Sequence, residues 1–169
     1  MWEEEGVRCV VEDPGVCQTC EVGVGNGQWV SLGVGDITVD SAADESCWPE
    51  DVGGAFDLKP SKMNIKLIAA NGQAMRHSGE KEITFRDPDS KDVMSMKLQV
   101  TEVRKALAAV HRLTEKGCFV QFGPEEADNF IQYGKNGKKV KLIKKGRSYI
   151  MRVEFVKWIP DSPFRGQAM

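Results

Sequence analysis

The sequence predicts a mostly β protein with one short helix, folded as a compact barrel or sandwich. Short segments that are β-branched, or that alternate apolar with polar residues, recur at even spacing between residues 29 and 158. Asn-Gly and Lys-Gly pairs, which are typical of hairpin turns, separate several of them. Only residues 103–116 have apolar side chains near helical spacing, and Gly117 follows them where a helix C-cap is expected.

The elements follow in order along the chain. Residues 29–34 alternate apolar and polar side chains, residues 37–39 are β-branched, and residues 40–49 are rich in turn formers. Further strands are predicted at residues 66–69, 81–85, 94–100, 118–122 and 149–158. The strand at 66–69 leads into Asn71-Gly72, with 81–85 as its return strand. Residues 106–110 fit a buried strand ahead of a shorter helix as well as they fit the first part of a helix.

Three regions are predicted. Residues 1–28 are rich in Gly, Glu and Cys and form a loose extension. Residues 29–123 form the main domain. Residues 124–169 form a basic β-hairpin extension with a tail.

Composition excludes some classes of function. The hydrophobic content of 41% supports a core, while the net charge of -2 does not indicate a nucleic-acid-binding protein as a whole. The charge is uneven, because Lys and Arg are frequent between Lys135 and Arg152 and acidic residues are absent there. Five cysteines, no secretory signal and no membrane-spanning run predict an intracellular, cytoplasmic protein. No cofactor is expected.

Asp40 and Ser41 stand directly behind the β-branched strand, and Ala42 and Ala43 follow them. Small residues let a backbone turn sharply and approach a partner surface closely. An aspartate presented in this way suits acid/base work on a bound water. Taken alone, Asp40 also fits an ordinary turn cap.

The segment Val39-Asp40-Ser41-Ala42-Ala43-Asp44 resembles the Asp-Thr/Ser-Gly-Ala-Asp loop of retropepsin-like aspartic proteases. Residues 69–79, AANGQAMRHSG, are similar to the flap hairpin of that family. Residues 107–122, LAAVHRLTEKGCFVQF, together with residues 134–138, resemble the segment that follows the protease in copia-type retroelement polyproteins. The resemblance covers residues 29 to about 158.

The resemblance implies a retropepsin-like closed barrel and an aspartic endopeptidase that is active as a homodimer and cleaves a polypeptide substrate. Asp40 of each protomer would hold the catalytic water, and Ser41, Ala42 and Ala43 would complete the active-site loop. Asp44 would bind the substrate main chain, and Asn71, Gly72 and Gln73 would close over the peptide.

Two alanines depart from the family pattern. Ala42 and Ala109 stand where the family has glycine. If those positions required a positive φ, the methyl groups would be unfavourable. The alternative function is therefore a catalytically inactive module of the same fold that binds peptide or RNA.

Other candidate residues are weaker. Cys17 and Cys20 form half of a zinc site, and unliganded thiols are the simpler interpretation. His77 and His111 have no Ser or Cys partner at a telling position, so nucleophilic catalysis is not expected. The lysine-rich hairpins, with Tyr133 and Tyr149 beside them, would suit phosphates and bases, although exposed lysines also serve to block edge pairing.

Overall fold

The structure is a computed structural model that describes the backbone of residues 7–8, 11–13 and 16–17 and all atoms of residues 26–161. The strands are β1 (Val7–Arg8), β2 (Val11–Asp13), β3 (Val16–Cys17), β4 (Gly27–Asp40), β5 (Cys47–Pro49), β6 (Leu67–Ile68), β7 (Ala74–Met75), β8 (His77–Arg86), β9 (Val93–Thr101), β10 (Leu107–Ala109), β11 (Cys118–Gln121), β12 (Phe130–Tyr133), β13 (Lys139–Lys141), β14 (Ile143–Lys145) and β15 (Ser148–Pro160). The helix α1 covers Val110–Glu115, and a 3-10 turn covers Glu126–Asp128.

The mostly β prediction is confirmed, and α1 is the one α-helix of the described residues. The prediction of a helix over residues 103–116 is wrong for its first half. The alternative, a buried strand ahead of a shorter helix, is confirmed. Residues of β10 pair in parallel with the last three residues of β4, and the Ala106 carbonyl accepts the Thr38 N–H at 3.0 Å. These inter-strand bonds satisfy backbone groups that a longer helix would have paired locally.

One large sheet organises the chain. β9 pairs with β5 in parallel, β5 with β10, and β10 with β4 in parallel. β4 pairs with β15, β15 with β8, and β8 with β9, all antiparallel. The path of paired strands therefore leads from β9 through five other strands and back to β9. β1 and β14 add to this sheet beside β9 and β15.

The longest ladder joins β4 to β15 over twelve residue pairs, from Val39↔Tyr149 to Gly27↔Pro160. The register shifts between Phe155 and Val156, opposite Gly33, whose φ of +115° lies in a region that side chains disfavour. The predicted boundary at residue 123 stays a prediction. Nevertheless, the chain segment of β15 lies in the same sheet as the strand that ends at Asp40.

The hairpin around Asn71-Gly72 is present, but it is smaller than predicted. β6 pairs with β7, whereas the predicted return strand at residues 81–85 lies in β8 and pairs with β9. The apolar side chains Ile83 and Phe85 are 0% and 1% exposed. Their burial requires a place beside β9 in the core, which a projecting hairpin cannot supply.

Two small sheets complete the fold. β11, β12 and β13 form an antiparallel sheet, and β2 pairs with β3. The predicted loose extension at residues 1–28 thus contains strand pairs, including Val7–Arg8 on β9. No helix in the described part of the chain is long and apolar enough to cross a membrane.

The apolar core lies between the strands of the large sheet and α1. Met94, Met96, Leu98 and Val100 enter it from alternate positions of β9. The other face of β9 is polar and also buried. There the Lys97 ammonium lies 3.4 Å from the Glu80 carboxylate, and the Gln99 Oε1 accepts from the Ser61 hydroxyl at 2.6 Å. This polar layer requires the loop before β6 to cover it.

We predict that a chain ending at residue 123 does not fold cooperatively, whereas a chain ending at residue 161 does. Removal of β15 leaves the edge of β4 that pairs with it without partners, and it deletes Val153 and Val156, whose side chains are 0% exposed. Circular dichroism with thermal unfolding measures the difference. Equal transitions for the two chains would show that β15 is dispensable.

Candidate active site

Asp40 is the last residue of β4, at the end where β10 runs beside it in parallel. The Ala109 backbone pairs with Asp40, and α1 begins at the next residue, Val110. The Asp40 Oδ1 accepts the Ala42 N–H at 2.8 Å, which closes a turn over residues 40–42. Asp40 is half-buried, and Ser41 and Ala42 are exposed. A rigid strand therefore ends in a carboxylate that solvent and a partner surface can reach.

Both alanines that stand where the resembled family has glycine have ordinary backbones. Lys91 is the one described non-glycine residue with a positive φ, so Ala42 lies outside the left-handed region. Ala109 has φ -75° and ψ 123° and is fully buried between β4 and α1. Neither position therefore strains an alanine, and the conformational objection to an active loop does not apply.

A buried ion pair lies under the loop that begins at Asp40. The Arg112 guanidinium donates from Nη2 and Nε to the Glu45 Oε2, at 2.7 and 3.2 Å. The two side chains are 0% and 2% exposed. Burial raises the pKa of Glu45, while the hydrogen bonds and positive charge of Arg112 oppose that rise. A charge-assisted, two-donor contact of this kind fixes the loop to α1 with defined geometry.

Three further bonds fasten the same loop. The Ser46 hydroxyl accepts the Ala109 N–H at 3.0 Å, and the Ser46 carbonyl accepts the Gln99 N–H at 2.9 Å. The His111 Nε2 bonds the Asp44 carbonyl, and its Nδ1 lies 3.6 Å from Glu115. The loop is therefore held from β9, β10 and α1 together.

Sequence reasoning missed Glu45, Ser46 and Arg112. Arg112 stands at a position of α1 that faces the core, where an apolar residue is usual. An arginine at a core-facing helix position was the one available signal of a buried ion pair, because a buried arginine requires an acidic partner. Its partner is 67 residues away in sequence, so no local pattern identifies it.

Asp44 is exposed, and its hydrogen bond to His111 is made by its backbone carbonyl rather than its carboxylate. Within residues 26–161 no hydrogen bond or ion pair orients this carboxylate, and its contact with a substrate stays a prediction. Ala43 is half-buried beside it.

The hairpin tip is formed by Asn71, Gly72 and Gln73. The Asn71 Oδ1 accepts the Gln73 N–H at 3.0 Å, the Ala69 N–H donates to the Gln73 carbonyl at 2.8 Å, and Gly72 has a φ of +86°. All three tip residues are exposed. Within residues 26–161 no hydrogen bond joins this tip to residues 40–44, so their joint role in one site stays a prediction.

The base of this hairpin is anchored more firmly than its tip. The Arg76 guanidinium donates to both Glu50 carboxylate oxygens, at 2.9 and 3.1 Å, and the Ser78 hydroxyl donates to the same carboxylate. The Thr101 hydroxyl donates to the Arg76 carbonyl at 2.6 Å. Arg76 and Ser78 lower the pKa of Glu50 to about 2. The anchor is therefore charged at any pH well above that value.

The remaining candidates have structural contacts. The His77 Nε2 bonds the Gln99 side chain at 2.7 Å, and the Tyr133 hydroxyl reaches Met94 in the core. Cys17 lies in β3, whereas Cys20 lies outside the described residues. Burial raises the pKa of the Cys47 thiol to about 12, so this thiol is a weak nucleophile. Residues 26–161 contain no group of three or more His, Cys, Asp or Glu that would hold a metal.

Comparison with protein families, with curated proteins and with solved structures finds no match to this chain.

We predict that Arg112→Ala lowers the free energy of unfolding by about 3 kcal/mol or more, because it leaves the Glu45 carboxylate buried without its partner. The double variant Arg112→Leu/Glu45→Leu should recover most of this loss. Urea unfolding measures both, with Arg104→Ala, an exposed arginine, as the matched control. A single variant as stable as the control would show that the pair does not hold the loop.

We predict that the stabilising effect of Glu50 is full at pH values above about 5 and declines between pH 4.5 and about 2. Its folded-state pKa lies below the unfolded value of 4.5, so acidification protonates the unfolded chain first. The difference in unfolding free energy between the wild type and Glu50→Gln, measured by urea unfolding at several pH values, should shrink across that window. In an Arg76→Ala background most of this pH dependence should vanish. A difference that grew on acidification would contradict the assignment.

Proposed function

We propose that this chain is a retropepsin-like aspartic endopeptidase in which Asp40 of two protomers shares one catalytic water. The observation that carries the proposal is the position of Asp40, at the end of a strand flanked by β10 and β15 and turned by the Ala42 N–H. The loop is held rigidly from behind, and its front face is open to solvent. A preorganised carboxylate of this kind suits catalysis better than a mobile one.

We further propose a retropepsin-like closed barrel for the main domain. Support comes from the path of strand pairs that returns to β9 and from the two parallel pairings that place β10 beside β4 and β5 beside β9. The hairpin of β6 and β7 would be the flap of this barrel. Its tip is bonded mainly to itself, and its base is anchored at Glu50, so the tip can move while the base stays in place.

The mechanism requires a second copy of the chain. One protomer supplies one such loop, and an isologous dimer places two Asp40 side chains about a two-fold axis. Two carboxylates at that distance do not both ionise readily, so one keeps a proton and the pair titrates as a unit. The ionised member removes a proton from the water as it attacks the peptide carbonyl. The protonated member donates a hydrogen bond to the carbonyl oxygen.

The neighbouring residues take positioning roles in this proposal. Ser41 is exposed beside Asp40 and would hydrogen-bond across the dimer, which stiffens both loops. The free carboxylate of Asp44 would accept hydrogen bonds from the substrate main chain. Asn71, Gly72 and Gln73 would close over the peptide and exclude water. The resemblance to copia-type polyproteins makes a retroelement polyprotein the proposed substrate.

We predict that Asp40→Asn abolishes cleavage of a diverse peptide pool while the fold and the dimer persist. The amide is the same size as the carboxylate but neither holds nor accepts the proton. The reaction is run at several pH values from acid to neutral, and mass spectrometry detects the products. Asp51→Asn, which changes an exposed acid elsewhere, is the matched control. Cleavage by Asp40→Asn at the wild-type rate would contradict the proposal.

A mixing experiment tests the shared site. Excess Asp40→Asn should inhibit the wild type because mixed dimers contain only one functional carboxylate, and sedimentation equilibrium should show the dimer. Unchanged wild-type activity would indicate a monomeric enzyme. Absence of cleavage by a proven wild-type dimer would favour the inactive peptide- or RNA-binding module.

A further inference from the structure

We propose that the outer face of the three-stranded sheet β11–β12–β13 binds single-stranded nucleic acid. This face is independent of the Asp40 loop, and the proposal does not rest on protease activity. We call it the platform, defined by Phe119, Gln121, Phe130, Gln132, Lys139 and Lys141. The reasons are the alternation of the three strands, the exposed Phe119 ring beside the half-buried Phe130 ring, and the positive charges on the third strand.

Strand alternation separates the two faces of this sheet. Ile131 and Val140 are 0% and 5% exposed and belong to the apolar core. The strand neighbours of these two residues point to the outer face. They are Phe130 and Gln132 in β12, and Lys139 and Lys141 in β13. Phe119, on the outer face, is 48% exposed, although a phenylalanine in a sheet normally lies on the buried side.

The register brings the two platform rings close together. Phe119 pairs with Gln132, and Phe130 pairs with Gln121, so the rings stand diagonally on adjacent strands. Diagonal neighbours lie roughly 7–8 Å apart at Cα, which allows successive unstacked bases to contact both rings. A shallow groove of about 530 Å³ runs beside them, lined by β11 and β12 together with Thr114 and Gly117.

Lysines border the rings on the third strand. Lys141 pairs with Phe130 across the ladder, and Lys139 pairs with Gln132. The Lys139 ammonium lies 4.3 Å from the centre of the Phe130 ring. A base that stacks on this ring displaces the ammonium, and the flexible lysine then reaches the adjacent phosphate. Because the Lys139 ammonium reaches the face of the Phe130 ring, that face is open to a stacking base once the lysine moves aside.

Charge favours an anionic partner at this site. None of the six platform residues is acidic, and no acid occurs in the sequence from Lys135 to Arg152. The next hairpin, which belongs to the large sheet, also carries Lys144, Lys145 and Arg147, although Lys145 is ion-paired with Asp36. One acid does compete, because Glu126 is ion-paired with Lys141. The combination of two accessible rings with two lysines and a single paired acid fits bases and phosphates better than an apolar protein surface.

The test is fluorescence anisotropy of labelled single strands of about 12 nucleotides, U-rich and dT-rich, between about 50 and 200 mM salt. The protein is the full chain carrying Asp40→Asn. We expect a dissociation constant of about 1–100 µM at the low-salt end. Absence of binding at about 100 µM protein, or equal binding of a duplex of the same length, would overturn the proposal.

Variants then locate the binding. Phe119→Ala/Phe130→Ala should weaken binding by about tenfold or more. Lys139→Ala/Lys141→Ala should reduce the slope of log affinity against log salt by about 1.4. The matched controls are Leu32→Ala/Val34→Ala, which removes exposed apolar side chains elsewhere, and Lys62→Ala/Lys105→Ala, which removes two exposed charges. Platform variants that bind like their controls would overturn the proposal.

One variant should bind more tightly. Glu126→Gln releases Lys141 from its ion pair, so affinity should rise by about two- to fivefold. A platform that serves only as a protein contact predicts no such gain. An unchanged or weaker affinity of Glu126→Gln would overturn the role assigned to Lys141.

Discussion

The parallel pairing of β10 with the end of β4 is the constraint on which the candidate site depends. It sets Ala109 beside Asp40 and starts α1 at once, so that Arg112 of the helix reaches Glu45 beneath the loop. Parallel pairing requires a long crossover, and the chain makes it through β5, β8 and β9. The loop at Asp40 is therefore positioned by contacts from distant parts of the sequence, and its own turn contributes one hydrogen bond.

A second dependence runs through β15. This strand covers β4 along nearly its whole length, and its Phe155 ring packs over Gly35, where an added Cβ would lie 2.6 Å from the ring. Phe155 also meets Trp48 edge to face, with ring centres 5.5 Å apart. A segment that composition separates as a basic extension thus stabilises the strand that presents Asp40. Its lysines remain outside, while its apolar residues enter the core.

The polar layer on β9 fixes the segments on both sides of the exposed hairpin tip. Gln99 is fully buried and bonds Ser61 and His77 through its Oε1, while its Nε2 has no hydrogen-bond partner among the residues that the structure describes. Buried polar groups of this kind fix the loop before β6 and the start of β8. The hairpin of β6 and β7 projects between these two fixed points. Within residues 26–161 its tip is held by local turn bonds alone, as the proposed flap role would require.

The sequence by itself determined the mostly β class, the short helix, the turn positions and the candidate aspartate, because periodicity and turn chemistry are local properties. It also identified Ala42 and Ala109 as departures from a family pattern. Only the tertiary structure decided that both alanines have unstrained backbones and that residues 81–85 pair with β9 rather than with the hairpin. It alone revealed the Arg112–Glu45 pair and the exposed face of β11–β13. These features depend on which distant strands become neighbours, and no local pattern records that choice.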